Sequence, residues 1–316
     1  MMRLIDFDHT LRQAFGDRVV RDAPLAPLTT FKVGGPADWL VTLEGADDLR
    51  RALLLARGAG VPVRILGGGS NVLVSDRGVR GLVIRQRGGN VVRLDPHRVR
   101  ADAALTINGL VRWTINRGIA GLEAWAGTPG TVGGAIYGNA HFQRRNIGEL
   151  VDRVVLVDGS ATLQEVPGSE MEFGYDSSRL QRTGEMVVAV DFHVADGDPG
   201  ALRATARESL AFRKRTQPLE SASAGCIFQN PDPARDPVPE GIPPSAGALV
   251  DRAGLKGARE GHARVSTTHA NFIVNEGGAT AADIRTLVER CKRAVHDRFG
   301  VQLREEIVYL GFGGAS

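Results

Sequence analysis

At 316 residues, with 42% hydrophobic and 24% charged content, the chain has the composition of a globular protein large enough for two or three cores. A net charge of +3 falls short of a nucleic-acid footprint, two cysteines give no disulfide framework, and no apolar run reaches the length of a membrane span. Asp6 and Asp8 lie where a signal peptide would carry its apolar core, so a reduced, cytoplasmic protein is expected.

Along the chain, apolar spacing predicts a helix from Asp47 to Gly58 with Leu49, Leu53 and Ala56 on one face and Gly60 after its end. Strand-like runs follow at 61–66, 71–75, 81–85, 91–94 and 98–101, and then a helix from Leu105 to Arg117 closes at Gly118. Val151–Val157 and Met186–Val194 read as strands, with an irregular stretch at 160–185 between them. Asp196–Gly200 is turn-rich and reads as a linker, followed by a helix over Ala201–Arg215. Six prolines between Asn230 and Pro244 predict a surface loop. Thr280 and Asp283 have the spacing of a capped helix start, after which Ile284, Leu287, Val288, Cys291, Val295 and Phe299 share one face up to Gly300. Cys291 therefore belongs to a core, and Val301–Leu310 reads as the last strand. Short strands with few helices indicate an α+β fold rather than a regularly alternating parallel sheet.

Forty glycines, about twice the usual share, sit between apolar runs and mark tight turns and close backbone approach. Two glycine-rich loops stand out, Leu66-Gly67-Gly68-Gly69-Ser70-Asn71 and Thr128-Pro129-Gly130-Thr131-Val132-Gly133-Gly134. Backbone without side chains lets N–H groups approach a pyrophosphate, so the pair points to a phosphate-bearing ligand. The spacing is not that of the dinucleotide fingerprint opening a helix, and the first loop leads into another strand-like run. Cys226 lies among small, turn-prone residues on no helical stripe, and a thiol there is either an inert core group or a proton donor. Histidines, cysteines and acids show no metal-ligand spacing, so no metal is expected.

Five ordered segments between about residues 28 and 311 resemble the UDP-N-acetylenolpyruvoylglucosamine reductase family. Thr30-Phe31-Lys32-Val33-Gly34-Gly35-Pro36-Ala37 is similar to its T-F-x-V-G-G-P-A, and the loop at Gly67, Gly68, Gly69, Ser70 and Asn71 to its G-G-G-S-N-x-L. Gly127 to Ala135, with Gly130, Thr131, Gly133 and Gly134, resembles G-x-P-G-x-x-G-G-A; Ala224–Pro231 resembles A-G-[SC]-x-F-K-N-P; and Leu303–Ile307 resembles L-E-P-E-V. The resemblance implies an FAD-binding domain of two α+β subdomains, of the p-cresol methylhydroxylase type, at about 27–88 and 89–197. An N-terminal segment at 1–26 would precede it, and an α+β substrate domain at 198–316 would follow. It implies that Val33 and both glycine loops hold FAD. NADPH would reduce the flavin, and hydride would pass to the enolpyruvyl methylene carbon of UDP-N-acetylglucosamine enolpyruvate, leaving an enolate to be protonated.

In that reaction Cys226 takes the proton-donor position and Glu306 the catalytic carboxylate, while Tyr175, Arg213, Asn230 and His269 become substrate contacts. Glu306 is preferred over Glu305 because neighbours on a strand face opposite ways. Three elements depart from the family pattern: Gln229 replaces its lysine, Arg304-Glu305 replaces its Glu-Pro and, most important, Tyr175 is followed by Asp176 where the enolate-stabilising arginine of Y-R-x-S should stand. Arg179, three residues on, is the candidate replacement, with Arg213 or Arg264 as alternatives, and for His269 a purely structural role stays open. The expected partners are a sugar nucleotide and NADPH, with no nucleic acid and no membrane, and the expected state is a monomer. Two other readings stay open, a flavin oxidase or dehydrogenase of the same fold acting on another substrate, and a non-catalytic flavin-binding protein.

Overall fold

The computed structural model describes residues 4–142 and 145–313. The chain divides into two compact units, one formed by Met1–Ala23, Asp38–Gly68 and Gly81–Phe212, the other by Pro24–Ala37, Gly69–Arg80 and Arg213–Ser316. The second unit therefore takes in two early segments as well as the C-terminal residues. The reason lies in pairing: strand Val72–Val74 runs parallel to Val308–Leu310, which ties the early segment to the chain's last strand.

The first unit carries two sheets. One orders strands Val19–Pro24, Pro36–Leu43, Val79–Gln86 and Val63–Ile65, backed by helix Gly45–Ala59. Leu49, Ala52, Leu53, Ala56 and Ala59 of that helix are buried, the three-and-four spacing that sends one stripe into the core, and Gly60 ends it in the left-handed conformation. The other sheet is antiparallel in the order Leu163–Pro167, Val151–Val157, Met186–His193, Arg98–Asp102, Val91–Asp95. Helices Ile107–Asn116 and Val132–Tyr137 contribute Leu110, Val111, Val132 and Ile136 to the core that includes Val99, Val154 and Phe192.

The stretch 160–185 is more regular than its sequence suggests, since it contains strand Leu163–Pro167 and the short helix Leu180–Thr183. Only Val166 of that strand is buried. An edge strand with one inward apolar residue and a terminal proline leaves no alternation to read.

The second unit packs helices Ala246–Arg252 and Ala281–Phe299 with a three-stranded antiparallel sheet, Arg259–Glu260, Ala263–Val265 and Ile273–Asn275. The start of helix Ala281–Phe299 is capped as its sequence predicts, by reciprocal hydrogen bonds of Thr280 and Asp283. Asp76 adds two more acceptors there, for the N–H groups of Ala281 and Ala282. Cys291 is 1% exposed in the core, and burial pushes its thiol up to about 12, which keeps it inert.

The expected strand over Val301–Leu310 is shortened to Val308–Leu310, preceded by an isolated bridge between Glu305 and Phe228. Val301, Leu303 and Ile307 are buried at alternating positions, so the alternation reports an extended segment lying on a core rather than a ladder. No helix among the described residues is long and apolar enough to cross a membrane.

Candidate active site

The two glycine loops come together in the first unit. A Cβ on Gly68 would lie 2.6 Å from the Cα of Gly130, and one on Gly67 would lie 2.8 Å from the Thr131 hydroxyl. Backbone rests on backbone here, and Gly130 itself has a φ of +100°, which side-chain-bearing residues rarely adopt. The second loop is braced from beneath. Gly127 N–H donates to Asn108 Oδ1 at 2.7 Å, Ile107 N–H to the Gly130 carbonyl at 3.1 Å, and Val132 N–H to the Leu105 carbonyl at 2.8 Å.

The amides of the expected cofactor residues fall into two groups. Gly133 N–H donates to the Ala103 carbonyl and Gly134 N–H to the Thr131 hydroxyl, so with Gly127 these residues build the loop. The N–H groups of Gly67, Gly68, Gly130 and Thr131 donate to no acceptor among the described residues, and the same is true of Gly69, Ser70 and Asn71 along the chain. Backbone donors that the fold leaves unused on loops a Cβ would fill fit a pyrophosphate, and so fit FAD. Val33 is placed differently: its side chain is buried in the second unit's core, and its N–H and carbonyl both meet the Thr29 hydroxyl.

In the second unit, Cys226 and Glu306 lie on neighbouring segments. Glu306 N–H donates to the carbonyl of Ile227, next to Cys226, at 2.8 Å, and Gln229 N–H donates to the Arg304 carbonyl at 2.9 Å. Asn271 fixes the same segment by a reciprocal pair, its Oδ1 accepting from Phe228 N–H at 2.9 Å and its Nδ2 donating to the Phe228 carbonyl at 2.7 Å. Asn71 Nδ2 donates to the Glu306 carbonyl at 3.0 Å, so both backbone groups of Glu306 are held. Glu305 is engaged elsewhere, with Lys292 Nζ at 2.6 Å from its carboxylate. Glu306 is thus distinguished from its neighbour by partners rather than by strand alternation.

Arg213 is 7% exposed and couples electrostatically to Cys226. Burial lowers its guanidinium to about 10, against the pull of a Cys226 thiolate, and it stays charged at neutral pH. Asn230 accepts the Ala246 N–H at the start of helix Ala246–Arg252, a bond that anchors the residue at the end of the Cys226 segment. His269 Nδ1 accepts from Asn271 N–H at 3.2 Å and its ring packs edge-on to Phe272, while burial lowers its basicity. The ring is thereby a neutral support for the turn that delivers Asn271.

Arg179 meets Glu185 through two hydrogen bonds of 2.9 and 2.7 Å, and Thr183 donates a third to the same carboxylate. Its charge is spent within the first unit on a carboxylate that is 8% exposed, which argues against a free cation for an enolate. The Arg179 hydrogen bond, ahead of the opposing effect of burial, holds the Glu185 carboxyl below its ordinary value of 4.5. A carboxyl lowered on folding stabilises the protein in full above its unfolded value and loses that contribution as pH falls through its folded value. Replacing Arg179 with alanine should therefore lower stability by about 1–3 kcal/mol near neutrality, with the gap from the parent protein narrowing below about pH 4. Urea denaturation across that pH range measures both, and a gap that does not narrow would contradict the assignment.

Asp176 faces His141 rather than a cation of the arginine type. Its Oδ1 lies 2.9 Å from His141 Nδ1, and the Tyr175 ring lies 5.1 Å from the imidazole. His141 has no motif to announce it, and the partner that reveals it is 35 residues away. Among the described residues no cluster of three His, Cys, Asp or Glu side chains could hold a metal ion.

Comparison with known proteins agrees with this geometry. The FAD binding domain family matches residues 37–166, which include both glycine loops, and the UDP-N-acetylenolpyruvoylglucosamine reductase C-terminal domain family matches residues 217–310, which include Cys226 and Glu306. The UDP-N-acetylenolpyruvoylglucosamine reductase of Heliobacterium modesticaldum is 38% identical over 95% of this chain and 93% of its own. Reductase 2 of Symbiobacterium thermophilum is 39% identical over 93% and 92%. The crystal structure of the Thermus caldophilus reductase superposes with a TM-score of 0.74 at 33% identity, covering 92% of this chain and 98% of that one. With the glycine loops paired, the thiol and carboxylate segments joined, and relatives this similar along nearly the whole length, the chain belongs to the UDP-N-acetylenolpyruvoylglucosamine reductase family.

Proposed function

We propose that this protein uses NADPH and FAD to reduce the enolpyruvyl group of UDP-N-acetylglucosamine enolpyruvate to UDP-N-acetylmuramate, a peptidoglycan precursor. The observation that carries the reading is the backbone pairing that joins the Cys226 and Glu306 segments, with buried Arg213 coupled to the thiol. Bound FAD supplies the hydride chemistry, taken from NADPH and passed to the enolpyruvyl methylene carbon. The chain's residues must then bind, orient and protonate. The N–H groups of Gly67, Gly68, Gly130 and Thr131 hold the cofactor's pyrophosphate. Cys226 gives its thiol proton to the carbon beside the carboxylate, completing addition of a hydride and a proton across the double bond. Arg213 offsets the thiolate this leaves, at a site where burial strengthens the attraction. Glu306 is the carboxyl group held beside the Cys226 segment, and it favours the charge that builds on the substrate only when a proton or a cation accompanies it.

The test is an anaerobic half-reaction series. The flavin is reduced with NADPH, UDP-N-acetylglucosamine enolpyruvate is added, and absorbance and products are followed. Return of the oxidised spectrum together with UDP-N-acetylmuramate is expected. A flavin that reduces and stays reduced would overturn the substrate, and a colourless protein that takes up no FAD would overturn the cofactor.

A further inference from the structure

Within the first unit, strand Val79–Gln86 runs past its parallel neighbour Val63–Ile65 at the end where the first glycine loop begins. The register pairs Arg64 with Val83 and Ile65 with Ile84, and Leu66 N–H donates to the Ile84 carbonyl at 2.8 Å. Carried one residue further, that register sets Arg85 beside Leu66, the residue before Gly67, on a strand about 5 Å away. Paired residues of neighbouring strands share a face. Leu82, Ile84, Val63 and Ile65 go to the core that also takes Leu49, Leu53 and Ala56 of helix Gly45–Ala59. Arg64, Val83 and Arg85 therefore take the opposite face of the sheet. That face also looks toward the helix that the second glycine loop opens. Burial pushes the phenol of Tyr137 up against the opposing charge of Arg64, and Tyr137 ends the helix that Thr131 caps.

Arg85 is half-buried there without an anion. It has no hydrogen bond or ion pair with any other described residue. Burial lowers its guanidinium, and the neighbouring charge that acts on it is Arg87, of like sign. A guanidinium keeps its proton even so. Folding thus brings a cation partly out of water beside another cation, which costs stability until an anion joins them. The unused N–H groups of Gly67, Gly68, Gly130 and Thr131 call for the same kind of ligand.

We infer that Arg85 is a charge partner of the FAD pyrophosphate, adding a guanidinium to the backbone N–H groups of the two glycine loops. The inference concerns the cofactor and is independent of the substrate and of the reduction proposed above. Glycine amides are neutral donors, whereas a pyrophosphate is an anion, and a guanidinium matches phosphate oxygens in both charge and geometry. Arg85 is a positioning residue for the cofactor and takes no part in hydride or proton transfer.

The experiment dialyses the parent holoenzyme, R85Q, R85K and R57Q against graded FAD. R85Q should raise the Kd for FAD about tenfold, the worth of one charged hydrogen bond partly open to water. The gap from the parent should narrow in about 1 M NaCl, which screens exposed contacts. R85K should recover much of the loss. R57Q removes a like charge from the exposed side of helix Gly45–Ala59 and should bind as the parent does. Stripped of cofactor, R85Q should withstand at least as much urea as the stripped parent, because it relieves an unpaired cation. An R85Q protein that binds FAD like the parent, or an R57Q protein that loses as much, would overturn the inference. So would a stripped R85Q that unfolds at lower urea, which would mark Arg85 as structural. A parent protein that takes up no FAD would instead overturn the cofactor itself.

Discussion

Replacing Cys226 with alanine should slow oxidation of the reduced enzyme by its enolpyruvyl substrate by roughly 10²–10⁴-fold, the range for losing a positioned general acid. Reduction by NADPH should continue at the parent rate, because that step transfers no proton through the thiol. The substitution removes one sulfur from a half-buried position whose neighbours Ile227 and Phe228 are pinned by Asn271 and Glu306, so the surrounding backbone should hold. Serine at the same position should keep part of the activity. A hydroxyl can donate a proton but is a weaker acid than a thiol, and the buried charge of Arg213 helps either conjugate base. Stopped-flow absorbance separates the two half-reactions, and an alanine variant that reoxidises at the parent rate would remove Cys226 from the chemistry.

Alanine at Gly68 should yield a folded protein that has lost most of its flavin. The added Cβ would sit 2.6 Å from the Cα and 3.2 Å from the carbonyl carbon of Gly130, and no flexible side chain is there to move aside. The two loops must separate, and overpacking of this kind costs about 1–3 kcal/mol. If that cost is borne by the bound state, affinity for FAD drops by roughly tenfold to a hundredfold. Alanine at Gly58 is the matched control: no heavy atom lies within 4 Å of its added Cβ, so flavin content should be unchanged. Equilibrium dialysis against FAD measures both, and a Gly68 variant that binds like the parent would show that the contact between the loops is not what shapes the cofactor site.

The sequence announced features whose cause is local. Helix Ala281–Phe299 was legible because its stripe, its cap and its terminal glycine lie within one stretch of chain. The two glycine loops were legible as places of close backbone approach, but not which of their amides the fold leaves unused. Gly133 and Gly134 look equivalent to Gly67 and Gly68 in sequence, yet their N–H groups are consumed by Ala103 and Thr131. Backbone accounting of that kind needs coordinates. Arg179 stands out in sequence by its spacing of three from Asp176, and the carboxylate that takes its charge is Glu185, beyond the short helix Leu180–Thr183. His141 was invisible for the same reason in reverse, since its meaning comes from Asp176 and nothing around it in sequence repeats or alternates.

The pairing of Val72–Val74 with Val308–Leu310, together with the Asn71–Glu306 bond across 235 residues, sets a timetable for biosynthesis. During synthesis on the ribosome, the segment after the first glycine loop waits for some 235 further residues before its partners exist. Contacts so distant in sequence carry a large loop-closure entropy and form late. The first unit, whose segments end at Phe212, can assemble while the remaining hundred or so residues are still emerging. The Asn71 end of the first glycine loop is therefore locked only after the strand Val308–Leu310 is available, later than the Gly67 and Gly68 end, which belongs to the first unit.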